Sequence, residues 1–485
     1  MSSRRAICLK RGLLQMSGNR VLGGGLALAL AFLLSCGGGS NSVPVPPGSA
    51  PLSVTVKDAP PAGVTVLTFE VTITGAVLQP GNVSLVPTPA KIEVKKLEVE
   101  SAFLSTVNVP AGNYASLQLT VSNPELTIKN DTGNAIGSCA NGAVCEIKPN
   151  ASTSVTINFS PSITIMANTP AGLVVDVNLA NLITNTLGVD FNAANAFTAQ
   201  QLTGVGLPTG QLEELEFEGT VSNKDAANNQ FILQAVEGNF TIKVDNNTEF
   251  GDFDEGSPAC NTSNFACVQN GQVVEVEIKL MAGGMFLAKE VELEDNQVDD
   301  ELDGVITAIS SSTQFQIVVV EELRGIAGID VGNPVNVTLA AGCATSSCFR
   351  IDDNGLTVPT VQGTLFTSAL DTSQLMVGQT VQVRRGTGSS GLNVTADRVR
   401  LRMSRFTATV AGTAPPNNFT VNALPSLFTA SGVSQIQVQT SSQTDFDNAP
   451  SGVSSLATGN LVSLSGLLFA NTPDPILTAK KVRKR

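Results

Sequence analysis

The chain has no histidine and no tryptophan among its 485 residues, and a single tyrosine, Tyr114. Without histidine the commonest general base and metal ligand is missing everywhere at once. Serine and cysteine triads, the HExxH zinc site and histidine-ligated haem are excluded on that ground. With so few Tyr and Trp, the flat platforms on which sugars or bases usually stack are scarce. Basic residues are also few: 28 Lys and Arg face 41 Asp and Glu, a net charge of −13, which makes nucleic acid a poor partner. Only 14% of residues are charged, while the strands and turns below are rich in Val, Thr, Ser, Asn and Gly, a balance that suits β-sheet.

Export is written into the first forty residues. A basic segment (Arg4, Arg5, Lys10, Arg11, Arg20) precedes an uncharged apolar run from Val21 to Leu34. A bilayer span needs roughly 20 residues, so this run reads as the core of a secretory signal peptide. Ser3-Arg4-Arg5 leaves twin-arginine export open, and Met16 is a second candidate start. The run ends Leu33-Leu34-Ser35-Cys36, followed by Gly37-Gly38-Gly39-Ser40. This resembles the lipobox of bacterial lipoproteins, with Leu34 bulkier than the residue usual there. The resemblance implies cleavage after residue 35 and lipid on Cys36, and several acyl chains on one residue anchor stably. Residues 36–51, mostly Gly, Ser, Asn and Pro, read as a tether. Location in the cell envelope is expected, at the outer membrane or cell surface.

Six further cysteines form close pairs, Cys139/Cys145, Cys260/Cys267 and Cys343/Cys348, each in a loop-like stretch. The spacing is not that of CxxC metal sites and no histidine is available, so three local disulfides in an oxidising compartment are expected. No metal ligand set and no cofactor is expected.

From 52 to 204 the chain alternates apolar and polar residues in short runs, for example Ala115-Ser116-Leu117-Gln118-Leu119-Thr120-Val121, separated by Pro, Gly, Asn and Asp clusters. That pattern predicts a β-sandwich. A helix is predicted over 191–201. Asp58-Ala59-Pro60 is expected to end a strand, Pro110-Ala111-Gly112 to form a turn needing glycine, and the Tyr114 hydroxyl to bond to backbone. Val56-Lys57-Asp58-Ala59-Pro60, Val109-Pro110-Ala111-Gly112-Asn113-Tyr114 and Leu173-Val174-Val175-Asp176-Val177 resemble an uncharacterised domain family found at the N-terminus of many bacterial lipoproteins. That family carries no assigned activity.

A threefold repeat follows. Gly271-Gln272-Val273-Val274-Glu275-Val276, Gly378-Gln379-Thr380-Val381-Gln382-Val383 and Gly459-Asn460-Leu461-Val462-Ser463-Leu464 are equivalent. Closing strands begin 17, 18 and 20 residues after each glycine, at Ala288, Ala396 and Ala479. Opening segments step from Gly219, Gly304 and Ala408 to Phe231, Phe315 and Phe419, and Thr248-Glu249-Phe250 matches Thr444-Asp445-Phe446. Three modules are predicted at 216–294, 302–403 and 405–484, the middle one with an insertion carrying Cys343 and Cys348. The fold class expected is therefore all-β: a sandwich, then three small barrels of the oligonucleotide/oligosaccharide-binding (OB) type. The repeats resemble a second uncharacterised family of exported bacterial proteins, marked by Gly-x-x-Val-x-Val and Ala-x-x-Val strands.

Charge follows the repeat. Residues 213–303 hold 21 acidic and 4 basic side chains. On the closing strands Glu290, Glu292 and Glu294 alternate with Val291 and Leu293, whereas Arg398, Arg400 and Arg402 alternate with Val399 and Leu401. Two readings stand: solvated faces that keep the strands soluble, or an acidic face of the first module meeting a basic face of another. The runs 245–255 and 290–303 also gather enough carboxylates for calcium to be considered, although neither has the EF-hand ladder. No carboxylate pair comes with an apolar pocket or aromatic subsite of the glycosidase kind. No catalytic residue is expected. The function expected is a non-catalytic envelope protein that binds or spaces through its modules, with the membrane, an envelope protein or a glycan as partner. A glycan- or calcium-binding lipoprotein is the alternative, and a carboxylate-based hydrolase a distant third.

Overall fold

The computed structural model describes residues 49–485 apart from 60–63, 87–88, 100–101, 150–151, 170, 203–214, 236–237, 252, 254–259, 261, 263, 282–284, 296–299 and 323–325. Residues 1–48, with the expected signal peptide and Cys36, lie outside the described residues.

The N-terminal domain is a sandwich of two sheets, as alternation predicted. Its strands are β1 (Ser49–Ala59), β2 (Thr65–Gln79), β3 (Val83–Ser84), β4 (Ala90–Glu93), β5 (Ala102–Pro110), β6 (Gly112–Lys129), β7 (Val144–Ile147), β8 (Ser152–Ile165), β9 (Ala171–Asn178) and β10 (Phe197–Leu202). One sheet has the order β10-β9-β1-β5; in the other β2 and β6 pair centrally and carry β3, β4, β7 and β8. Phe69, Leu78, Leu117 and Leu126 from one sheet and Leu173 and Val175 from the other share one core. β1 ends at Ala59, where Asp58-Ala59-Pro60 was expected to stop it, but it begins at Ser49, inside the stretch assigned to the tether. Between β5 and β6 the Tyr114 hydroxyl donates to the Pro110 carbonyl oxygen at 2.9 Å, an arrangement like the tyrosine corner of Greek-key sandwiches.

Two local expectations fail. Residues 191–196 form turns and 197–202 is strand β10, so the predicted helix is absent; the only α-helix of this domain among the described residues is α1 (Leu179–Leu182). The apolar spacing there marks residues facing one core, Phe191, Ala196 and Phe197, not a helical stripe. Gly112 has no positive φ and a Cβ there would meet nothing within 4 Å, so the turn does not need glycine.

Each repeat has the same strand order. The first holds β11 (Leu215–Asp225), β12 (Gln230–Ala235), β13 (Gly238–Lys243), β14 (Glu249–Gly251), β15 (Val273–Met281) and β16 (Met285–Asp295). The second holds β17 (Glu301–Ser311), β18 (Gln314–Glu322), β19 (Pro334–Leu339), β20 (Phe349–Ile351), β21 (Thr380–Arg385) and the first half of β22 (Asn393–Ala414). The third takes the rest of β22 with β23 (Asn418–Asn422), β24 (Ile436–Gln439), β25 (Asp445–Asp447), β26 (Leu461–Phe469) and β27 (Ile476–Lys484). In each, the opening strand pairs antiparallel with the second and fourth long strands. The third long strand closes the barrel by pairing parallel with the last, as β13–β16, β19–β22 and β24–β27. This five-stranded closed barrel leaves no long free edge.

The repeat's glycines have a reason. Gly271, Gly378 and Gly459 adopt φ of 95°, 91° and 90°, a conformation that other L residues reach only with strain. Each then donates its N–H back to the opening strand, at Val221, Ile306 and Val410. Thr248 and Thr444 likewise donate to the carbonyls of Ala288 and Ala479, so that repeated residue pins a loop to the closing strand.

β22 runs unbroken from the second barrel into the third, so residues 403–405 are no linker. The sandwich, second and third barrels meet through Leu67, Val318 and Leu427. Cys139–Cys145, Cys260–Cys267 and Cys343–Cys348 are all disulfide-bonded. No helix among the described residues is long and apolar enough to cross a membrane.

Candidate functional site: a buried charge hub

The closing strands place alternate side chains inside and outside each barrel. Val291, Val399 and Val482 are fully buried within their own barrels. The opposite faces carry Glu290, Glu292 and Glu294 on β16, Arg398, Arg400 and Arg402 on β22, and Lys481 and Arg483 on β27. These are the faces that the sequence left open between solvent and a partner module. They are turned inward onto each other: Arg402 is 9% exposed, Arg400 4%, Glu292 3% and Arg483 3%. The reading as solvated strand faces does not hold for them.

Arg402 is the centre. Its guanidinium reaches Glu294 at 2.8 Å, Asp303 at 3.2 Å, Glu275 at 3.5 Å and Glu292 at 3.8 Å, and pairs closely with Asp352. Three of these carboxylates come from the first barrel and two from the second. Arg398 pairs with Glu301. The third barrel contributes Lys480, 3.1 Å from Glu290, which also donates to the Asn354 carbonyl oxygen at 2.9 Å. Lys289 returns the contact at 2.8 Å from Asp445 and 3.4 Å from Glu277. The sandwich joins through its 3-10 turn, residues 94–98: Lys96 pairs with Glu321. Arg483, held by Asp447 at 2.6 Å, donates to the carbonyls of Leu97 and Glu98. Arg485 donates to the Glu98 carbonyl at 2.7 Å.

Burial decides the protonation of the hub. It pushes Glu292 and Glu294 well above the ordinary carboxylate range, and the neighbouring Asp352 raises Glu292 further. Burial raises Asp303 to about 6, against the pull of Arg402. Glu218 is raised by burial and by Glu321 beside it. Glu321 and Asp352 go the other way. For them burial is outweighed, by Lys96, the Glu218 hydrogen bond and Arg402 at Glu321, which is held at about 2, and by Arg402, Glu292 and Arg400 at Asp352. Glu292 with Asp352, and Glu218 with Glu321, are thus coupled pairs in which one carboxyl is raised and the other lowered, each with one member from either barrel.

Glu294 Oε2 and Asp303 Oδ1 accept no hydrogen bond from the described residues, and Asp303 borders a cavity of 20 Å³ that Arg402 and Glu321 also line. A second cavity of 30 Å³ lies among Glu277, Glu290, Lys480 and Lys481. Each has room for one or two waters and neither admits a sugar ring. No group of three or more acidic or cysteine side chains among the described residues is placed to hold a metal ion. Of the two acidic stretches considered for calcium, Glu290, Glu294, Glu301 and Asp303 of the second are compensated by Lys480, Arg402 and Arg398, while residues 296–299 of it and 252, 254 and 255 of the first lie outside the described residues. Charge alternation pointed to this hub; the part of the sandwich in it, Lys96 and Glu98, carried no signal beyond an ordinary surface turn.

Comparison with known proteins places both regions. Residues 49–207 match a family model described as Domain of unknown function (DUF4382). Residues 218–292 match a second, Domain of unknown function (DUF5666). The sandwich and the first barrel thus carry the two uncharacterised family likenesses that their motifs indicated. No curated protein matches the chain. Among solved structures, "drosophila Unr CSD456" aligns at 11% identity over 56% of this chain and 97% of that one, with a TM-score of 0.13. A multidomain protein with nucleic acid binding domains from Streptococcus pneumoniae aligns at 7% identity over 56% and 72%, with a TM-score of 0.11. At those TM-scores neither likeness carries weight for the DUF4382-like sandwich or the DUF5666-like barrel.

Proposed function

We propose that the protein is a non-catalytic lipoprotein of a bacterial cell envelope, held to a membrane through Cys36, whose sandwich and three barrels act together as a rigid binding and spacing head. The observation that carries this reading is the hub around Arg402. A spacer of loosely strung modules would keep charged strand faces wet; here they are buried against each other, and breaking a buried ion pair costs about 3–5 kcal/mol. The unbroken β22 and the Leu67–Val318–Leu427 contact favour the same reading. Three disulfides suit an exported protein.

Mass spectrometry of protein purified from its native host tests the anchor: an acylated N-terminal cysteine peptide beginning at residue 36 is expected. An unmodified Cys36, or an intact leader, refutes it. Cross-linking in the same cells tests the head, with capture of a specific envelope component expected.

A further inference from the structure

A further cavity opens beside the Arg398 edge of the hub. It is a cleft of 220 Å³ on the second barrel, between the loop closed by Cys343–Cys348, the end of β21 and the start of β22. Arg350, Arg384 and Arg398 line it with Ser346, Ser347 and one carboxylate, Asp397. Three guanidinium groups against one carboxylate make it a basic pocket in a chain of net charge −13.

Its arginines differ in how they are held. Arg384 Nε meets Asp397 at 2.7 Å and Arg398 pairs with Glu301. Arg350 is exposed and meets no carboxylate among the described residues; its guanidinium donates to the carbonyl oxygens of Phe349 at 2.8 Å and Ser347 at 3.3 Å. Those bonds orient the guanidinium through one nitrogen, Nη1, and leave its other N–H groups for a ligand. The disulfide fixes the loop that supplies Ser346 and Ser347, so little ordering would be lost on binding. The wall is particular to the second barrel: at the position of Asp397 the other barrels carry Lys289 and Lys480, both committed to the hub.

From this geometry we infer that the cleft binds a small ligand bearing an oxyanion, a phosphorylated or carboxylated sugar, with Arg350 as the residue that engages the anion. A planar guanidinium fork matches phosphate and carboxylate alike. At 220 Å³ the cleft is below the roughly 300–1,000 Å³ of drug-sized sites, which limits the occupant to about one ring and its acidic group. No aromatic side chain lines it, so a neutral sugar would have nothing to stack on. The inference is independent of the tether and shares only Arg398 with the hub.

Isothermal titration of the full chain at low salt with glucose 6-phosphate, glucuronate and glucose tests it. Saturable binding of one or both acidic sugars is expected, with none for glucose; which acid binds separates phosphate from carboxylate recognition. Arg350→Ala should weaken binding at least tenfold while leaving the melting temperature in place. Should that variant unfold, the wild-type chain still answers. Bound acidic sugar should protect Arg350 from modification by phenylglyoxal, read by peptide mass spectrometry. Absence of saturable binding, equal binding of glucose, unchanged affinity in a folded Arg350→Ala protein, or unprotected Arg350 at saturation would each overturn it.

Discussion

The guanidinium of Arg402 donates to Glu294 at 2.8 Å across the boundary between the second and first barrels. Each residue lies at the same position of the repeat, six residues after Ala396 and Ala288 respectively, one basic and one acidic. Equivalent positions of the two barrels thus carry opposite charge, and the two faces complement each other.

Replacing Arg402 by Met should therefore do more harm than any exposed charge change. It strands Glu294, Asp303 and Asp352 without their cation, and the cost expected is about 3–5 kcal/mol. Urea denaturation checks it. A shift below about 1 kcal/mol, the size of an exposed pair, would mean that the hub is wet.

Triple reversal of Arg398, Arg400 and Arg402 to Glu should separate the first barrel from the second. Small-angle scattering at low salt is expected to show a larger, less compact particle. An unchanged envelope argues that contacts other than charge hold the barrels.

Stability should fall as pH rises through the mildly acidic range. Asp303, at about 6, and the raised Glu292 and Glu294 bind protons more tightly folded than unfolded. Their contribution is complete below the unfolded carboxylate range near 4 and is lost as pH climbs through their folded values. Glu321, at about 2, and Asp352 act oppositely, losing their contribution as pH falls below about 4. The urea midpoint should therefore be higher at about pH 5 than at about pH 8. The reverse order would show that the cations keep Glu292, Glu294 and Asp303 ionised.

Two of the repeat's glycines give a matched comparison. Gly459→Ala meets no atom within 4 Å, so only its φ of 90° opposes it, at about 1–2 kcal/mol. Gly378→Ala has the same backbone and would also drive a Cβ into the Phe428 ring. It should lose clearly more, seen as the larger drop in melting temperature.

Tyr114 is the only tyrosine in a chain without tryptophan, so its fluorescence reports the sandwich alone. If sandwich and barrels are one block, its unfolding transition should coincide with that seen by far-ultraviolet circular dichroism. Tyr114→Phe should cost about 1 kcal/mol through the lost bond to Pro110.

Much of this was legible beforehand because period-two alternation and turn residues are local signals. Ala115–Val121 lies within β6, the three pairs of cysteines are bonded, and Gly271, Gly378 and Gly459 mark where the backbone must turn left-handed. Residues 191–201 misled because Phe191, Ala196 and Phe197 are spaced by turns and a strand edge, which short apolar spacing does not separate from a helix. Arg350 stood out in no pattern: its neighbours Arg384 and Arg398 arrive from strands 34 and 48 residues further along.

By itself the sequence determined which side of each closing strand enters its barrel, since Val399 and Leu401 have no other place to go than an apolar interior. It did not determine where Arg398, Arg400 and Arg402 point afterwards, because a charged face is equally satisfied by water and by carboxylates. That choice was made by tertiary docking, which put β16 opposite β22 and buried Arg402 among acids from two barrels, where desolvation is offset only when every partner is in place.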